Sequence, residues 1–80
     1  MIQVRPVGGS YRHAMAQVAR IEATPAAIRA HFGELLDGAG ISGEVAAKRA
    51  GYDSRNGWGT FTVLVGGVPC CYADGPLQAP

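Results

Sequence analysis

Alternating hydrophobic and polar positions over the last third of the chain predict a β-hairpin. Residues 58–65 (WGTFTVLV) are rich in the β-branched and aromatic side chains that fit a pleated, half-buried surface. Gly66-Gly67 follows, and a two-glycine loop supplies the positive φ angles of a tight hairpin turn. Residues 68–73 then return along the first strand. The register set by this loop puts three apolar or aromatic pairs on one face, which we expect to face the core: Val65/Val68, Val63/Cys70 and Phe61/Tyr72.

Pro69 suggests where the second strand of this hairpin lies in the sheet. If Val65 and Val68 close the turn, the nitrogen of residue 69 points away from the partner strand. Proline has no N–H to donate, so no strand can pair with that nitrogen. We therefore expect strand 68–73 to lie at a sheet edge and strand 58–65 to be more central.

The clearest helix start in the chain is Thr24-Pro25, a capping hydroxyl followed by proline at the first helical position. The apolar residues that follow repeat at helical spacing until Gly38, which predicts a helix over 25–37. Their stripe is expected to pack against Phe61, Val63, Val65 and Tyr72, and it comprises Ile28, Phe32, Leu35 and Leu36. His31 flanks the stripe, and we expect it to be partly buried and hydrogen-bonded rather than a ligand or a base.

The first quarter of the chain gives a weaker pattern. Residues 1–7 alternate as a short strand that ends at Gly8-Gly9. Residues 10–23 fit a helical period and a period of two. We favour a strand there, because the next helix begins at once and would leave no connection between two helices.

Residues 43–52 also allow two interpretations. Ser42 can cap a short helix over 43–50, which the alanines favour, with Glu44 in its first turn and basic residues in its last. Alternatively, residues 44–52 form a strand that pairs with 58–65 across the turn 54–57, which Asn56-Gly57 and Tyr52 favour. We place the helix slightly ahead.

These elements predict an α+β fold. We expect an antiparallel sheet of about four strands, the helix 25–37 packed on one of its faces, and a C-terminal hairpin formed by 58–65 and 68–73. A chain of 80 residues has room for one domain, which we place at 1–75, followed by a flexible tail at 76–80. A domain of this size buries limited surface, which leaves a homodimer open as a source of stability.

Charge and hydropathy limit the kinds of partner that we expect for this protein. The formal net charge is +1, which favours neither nucleic acid nor a strongly acidic partner. No apolar run approaches the length of a membrane span, so we expect no membrane contact. The first residues lack the organisation of a signal peptide, which indicates a cytoplasmic protein.

No pattern in the chain dictates a reaction. The glycine pairs lack the lysine and helix start of a phosphate loop, and the acidic residues show no catalytic spacing. Cys70 and Cys71 are adjacent, so strand alternation should send one thiol into the core and leave the other more exposed. They have no zinc-ligand spacing with His13 or His31. We expect no catalytic residue, no metal and no cofactor, and hence no enzyme.

Residues 36–58 (LDGAGISGEVAAKRAGYDSRNGW) resemble the helix-turn-helix of small bacterial and phage regulators. That resemblance implies a DNA-binding regulator. The recognition element would fall on 53–59, where Gly57 and Gly59 weaken a helix and Arg55 is the only basic residue. A nearly neutral domain also lacks the charge that neutralises phosphates. DNA binding is therefore the second hypothesis.

The first hypothesis is a protein-interaction module. Tyr52, Arg55 and Trp58 cluster around a glycine-bearing turn and belong to the residue types that dominate binding hot spots, although Trp58 alone would ordinarily be the largest core residue. Lys48 and Arg49 add a basic patch beside them.

In its size, its near-neutral charge and its order of elements, the chain is similar to the small single-domain inhibitors made by phages, anti-CRISPR proteins among them. The resemblance implies a stoichiometric inhibitor that binds a host nuclease or nucleoprotein complex, such as a CRISPR-Cas or other defence complex.

Overall fold

The part of the chain that the structure describes has one helix and a five-stranded antiparallel sheet, so the predicted α+β class is confirmed with one strand more than the expected four. The computed structural model describes residues 1–7 and 18–77. Within them the chain forms β1 (Ile2–Pro6), β2 (Val18–Ala19), α1 (Pro25–Gly38), β3 (Val45–Asp53), β4 (Trp58–Val65) and β5 (Val68–Pro76). The strands lie in the order β2-β1-β5-β4-β3.

The last strand lies inside the sheet, so the edge position predicted from Pro69 is wrong. β5 is flanked by β4 on one side and by β1 on the other. The pairing with β1 stops at Pro6↔Cys71, and the Val7 N–H then donates to the Cys70 carbonyl at 3.1 Å. Proline forbids pairing only at its own nitrogen, and Pro69 lies just past the end of β1. β4 is flanked on both sides, as expected.

A β-bulge changes the register of the β4–β5 hairpin. Val65↔Val68 closes the turn as predicted, but the register shifts between Val63 and Leu64 and leaves Cys70 as the extra residue. Phe61 is therefore opposite Ala73 rather than Tyr72, and Tyr72 is opposite Thr62. Tyr72 consequently lies on the sheet face away from the helix, and its predicted contact with the helix stripe is wrong.

The helix begins where the sequence predicts, and its stripe packs in one cluster with the expected residues of β4. The Ala27 N–H donates to the Thr24 side-chain oxygen at 3.2 Å, which satisfies one of the free donors at the helix start. The helix continues to Gly38, one residue past the prediction. Its stripe and the inward residues of β4 form one core cluster, with Leu35 partly buried at its border; the buried members are Ile28, Phe32, Leu36, Phe61, Val63 and Val65.

Residues 45–53 form a strand, so the helix predicted over 43–50 is wrong and the alternative hairpin with β4 is correct. The turn places Gly57 at a φ of 74°, and its N–H donates to the Asp53 carbonyl at 2.9 Å. Because β3 replaces the second helix of the motif, residues 36–58 do not form a helix-turn-helix.

The two weakest sequence assignments are partly described. Residues 1–7 contain β1 as expected. Of the strand favoured over 10–23, residues 10–17 lie outside the described part of the chain, and Val18–Ala19 pair with β1. At the other end, β5 continues to Pro76, and Leu77 packs against the core. Residues 78–80 of the predicted tail lie outside the described residues.

No helix in the described part of the chain is long and apolar enough to cross a membrane.

Candidate functional site

The outer side of β3 is the longest free strand edge that the structure describes. The Gly66 N–H donates to the Glu44 carbonyl at 2.9 Å, so these two residues are a hydrogen-bonded pair of the β3–β4 ladder. Antiparallel alternation then turns the N–H and C=O of Ala46 and Lys48 toward β4, and those of Ala47 and Arg49 outward. Within residues 1–7 and 18–77, no strand pairs with this outer side, which we call the β3 edge.

Two predicted site residues, Arg49 and Tyr52, lie together beside the β3 edge. A register shift between Arg49 and Gly51 puts both side chains on the helix side of the sheet. The Arg49 guanidinium lies 5.7 Å from the centroid of the Tyr52 ring, within the range of a cation–π contact. Tyr52 is 60% exposed, so α1 leaves most of its ring open to a partner.

Lys48 is exposed on the opposite face, which we call the open face of the sheet, where it is paired with Thr62. Among the residues that the structure describes, neither Lys48 nor Arg49 forms an ion pair. The β3 edge therefore has an uncompensated positive charge on each of its two faces. This arrangement favours a ligand with negative charge near the middle of the edge.

Arg55 lies in the β3–β4 turn and is bound to Asp53. Its Nε is 3.3 Å from Asp53 Oδ1, and its backbone N–H donates to the same oxygen at 2.9 Å. The hydrogen bond from the Arg55 side chain and then that from its backbone lower the pKa of Asp53 below its usual value. The Arg55 side chain is still 90% exposed, so the turn orients it without covering it.

Trp58 does not belong to the core, although that is the ordinary place for the only tryptophan of a small domain. It is opposite Asp53, and its backbone N–H donates to Asn56 Oδ1 at 2.9 Å. Along β4 it alternates with the buried positions, so it lies half-buried on the open face. The five predicted residues therefore extend from the middle of the β3–β4 hairpin to its turn, and they divide between its two faces and that turn.

A shallow depression of about 290 Å³ lies on the open face beside the start of β3. Leu64 and Ala46 form its apolar floor, and Glu44 and Lys48 border it. Its volume is at the lower limit of small-molecule pockets, which are roughly 300–1,000 Å³. It is better suited to a single partner side chain than to a small molecule.

The open face also carries a polar cluster that the sequence analysis missed. Arg5 binds Asp74 through two hydrogen bonds of 2.6 and 3.1 Å, and the Thr60 hydroxyl donates to the same carboxylate at 2.6 Å. Burial raises the pKa of Asp74, but the hydrogen bonds from Arg5 and Thr60 outweigh it, and the net shift is downward. The Arg5 guanidinium also lies 5.0 Å from the centroid of the Tyr72 ring.

This cluster links β1 to β5 and β4, and both of its charged groups are paired with each other. No signal in the sequence identifies it, because it joins residues 69 positions apart through a register that the bulge determines.

Groups suited to metal binding are not brought together. In the described part of the chain, no three His, Cys, Asp or Glu side chains lie close enough to hold a metal ion. His31 is half-buried and meets the edge of Phe32, with ring centroids 5.1 Å apart. Its Nε2 is buried without a hydrogen-bond partner among the described residues, so the partner expected from the sequence is not observed there.

Comparison with known proteins gives no match to this chain among protein-family models, curated proteins or solved structures.

Proposed function

We propose that the protein is a non-enzymatic binding module that adds an extended segment of a partner protein to its β3 edge. The observation that carries this proposal is the nine-residue strand β3, whose outer hydrogen-bonding groups have no partner strand in the described part of the chain. Backbone pairing supplies affinity in strand addition, and side chains on alternate faces supply specificity.

The side chains along the edge define the partner segment. A strand beside β3 has Arg49 and Tyr52 on one of its faces and Lys48 on the other. Acidic residues near its middle would meet the two cations that lack an ion pair among the described residues, and an apolar side chain facing Leu64 would fit the shallow depression. Arg55 and Trp58 extend the contact around the turn, where exposed arginine and half-buried tryptophan are typical anchors.

The resemblance to small phage-encoded inhibitors supplies the partner class. We propose a host nucleoprotein or nuclease complex, of the CRISPR-Cas or another defence type, that the protein blocks stoichiometrically in the cytoplasm. DNA binding is the weaker alternative, because strand β3 occupies the place of the helix-turn-helix and the net charge is only +1.

The test is capture from a bacterial lysate with the wild-type protein and an Ala47→Pro variant as baits. Residue 47 turns its N–H outward, so proline there removes an edge donor and leaves the β3–β4 ladder intact. We expect Ala47→Pro to keep the wild-type circular dichroism spectrum and a cooperative thermal transition, and to lose the partner. Arg29→Ala, on the exposed side of α1, is the matched control and should retain it.

Three results would contradict the proposal. The first is equal partner capture by the wild type and Ala47→Pro, and the second is undiminished capture after Tyr52, Arg55 and Trp58 are each changed to alanine. The third is a wild-type dimer in size-exclusion chromatography that Ala47→Pro dissociates, since the edge would then hold a second copy. Binding to random duplex DNA that weakens steeply with salt would favour the regulator instead.

A further inference from the structure

The bulge in β5 brings two thiols to the same side of the sheet. Adjacent residues of a regular strand point to opposite faces, whereas here Cys70 is the extra residue and Cys71 is opposite Val63. Both side chains are buried in the core, with exposed fractions of 2% and 0%. Their Sγ atoms are 3.9 Å apart.

This separation suits one atom bonded to both sulfurs. It exceeds the length of a disulfide bond, about 2.05 Å, almost twofold. With bonds of about 2.3 Å, as in zinc thiolates, a separation of 3.9 Å gives an angle of about 116° at the shared atom. A pyramidal centre, as in trivalent arsenic, has bond angles of about 100° and would hold the two sulfurs about 3.5 Å apart, so binding brings them about 0.4 Å closer together.

The shared atom must complete its coordination without further help from the protein. Structural zinc takes four protein ligands, and the described residues place no third His, Cys, Asp or Glu beside the two thiols. Trivalent arsenic with one organic substituent needs only two more bonds and prefers soft sulfur ligands. We propose that Cys70 and Cys71 form a dithiol site for thiophiles of this class, the monosubstituted trivalent arsenicals. This site is independent of the β3 edge and of the function proposed for it.

The binding step exchanges oxygen ligands for sulfur ligands. In an arsenical R–As(OH)₂, two As–O bonds break and two As–S bonds form. The two thiol protons leave with the two hydroxides as water, and the oxidation states of arsenic and sulfur stay unchanged, so no oxidant or reductant is required.

The two thiols differ in their readiness to react. The hydrogen bond between the two thiols lowers the pKa of Cys70, whereas the same contact and burial raise the pKa of Cys71. The thiolate is the nucleophile, so Cys70 attacks first and Cys71 closes the chelate.

Access to Cys70 comes through the hairpin tip. The last β1–β5 pair is Pro6↔Cys71, and beyond it Val7 contributes one hydrogen bond to Cys70. Val68 is 61% exposed, and Pro69 has no N–H to bind a neighbour. Local opening of residues 66–69 therefore exposes Cys70 while the rest of the sheet stays paired.

The test uses phenylarsine oxide on the folded protein, followed by a challenge with glutathione and intact-mass measurement. We expect one phenylarsenic group per chain, resistant to glutathione and released by a 1,2-dithiol. Cys70→Ser and Cys71→Ser have one thiol each and should form only adducts that glutathione removes.

A double variant tests whether binding requires the folded arrangement of the two thiols or only two cysteines close together in the sequence. Cys71→Ser with Tyr72→Cys keeps two nearby thiols, but residue 72 lies on the open face opposite Thr62. In concentrated urea both this variant and the wild type should form the glutathione-resistant adduct, whereas under native conditions only the wild type should.

Circular dichroism establishes that the double variant is folded. The proposal is overturned if the native wild type reacts only in urea, or if the native double variant forms the resistant adduct equally well.

Discussion

Gly75 lies where β5 passes beneath the start of the chain, and it should not tolerate a side chain. A Cβ atom there would lie 2.9 Å from Ala23 Cβ, 2.9 Å from Ile2 Cγ2 and 3.0 Å from the Met1 carbonyl oxygen. Carbon atoms normally approach to about 3.5–4.0 Å. The Met1 oxygen and the Ala23 methyl are fixed to the backbone, so neither can rotate away.

The cost of Gly75→Ala follows from these contacts. Overpacking a core by one methyl typically destabilises by about 1–3 kcal/mol, and immobile neighbours favour the upper half of that range. Alanine also restricts the unfolded chain, which offsets about 0.5–1 kcal/mol. We therefore expect a net loss of about 2 kcal/mol, a large share of the roughly 4–12 kcal/mol typical of a domain this size.

Urea and thermal unfolding followed by circular dichroism measure this loss. A change of about 2 kcal/mol should lower the melting temperature by about 8–16 °C in so small a domain. Gly51→Ala in β3 is the matched control, because a Cβ there meets only Thr60 Cβ at 3.9 Å. It should change stability by less than about 1 kcal/mol. Equal stabilities of the two variants would show that β1 and residue 23 do not pack on β5 as described.

Three further changes test other parts of the fold. Gly33→Ala should stabilise the protein by about 1 kcal/mol in urea unfolding, because the position is inside α1 and a Cβ meets no described atom within 4 Å. An unchanged unfolding midpoint would contradict the free space around residue 33. Phe32→Ala should cost about 3–5 kcal/mol, since the ring is fully buried in the core, and a loss below about 1 kcal/mol would refute that burial.

The pKa of Asp74 is lowered in the folded state. The ionised carboxylate therefore contributes its full stabilisation above the unfolded pKa of about 3.9, and this stabilisation is lost as pH falls through the folded pKa. The stability difference between the wild type and Asp74→Asn should therefore shrink from about pH 6 to about pH 3, and a constant difference would argue against the ion pair with Arg5.

Local signals were sufficient for the helix and for the existence of the C-terminal hairpin. Thr24-Pro25 gave the helix start because its capping geometry involves only neighbouring residues. Gly66-Gly67 gave the turn for the same reason, and both glycines adopt positive φ angles of 58° and 80°. Features that depend on three or four consecutive residues could be predicted.

Strand β3 could not be assigned on local preference, because pairing decides its conformation. Alanine, lysine and arginine are good helix formers, and residues 46–50 contain nothing else. In the protein, the turn at Gly57 brings this segment against β4, and its small side chains fit between the sheet and α1, where Val45 and Ala47 pack against the core. Helix propensity of a few tenths of a kcal/mol per residue is easily exceeded by such contacts.

The bulge at Cys70 shows a second limit of the sequence. The prediction assigned side chains to faces by strict alternation along a regular strand. The extra residue in β5 moved every later side chain of that strand to the other face. For that reason Tyr72 left the predicted core and Cys71 entered it. The candidate site was affected in the same way: the types and neighbourhood of Lys48, Arg49, Tyr52, Arg55 and Trp58 could be proposed, but their division between two faces depends on the shift near Ala50.

The pairing of β1 with β5 also determines the order of assembly during synthesis. Arg5 and Asp74 are separated by 69 positions, and every β1–β5 hydrogen bond closes a loop of similar length. The meander of β3, β4 and β5 can form as soon as it leaves the ribosome, whereas β1 must wait until β5 has emerged. β1 therefore joins the sheet by adding to the free side of β5 after β3, β4 and β5 have paired, and Ile2 and Val4 remain exposed to chaperones until then.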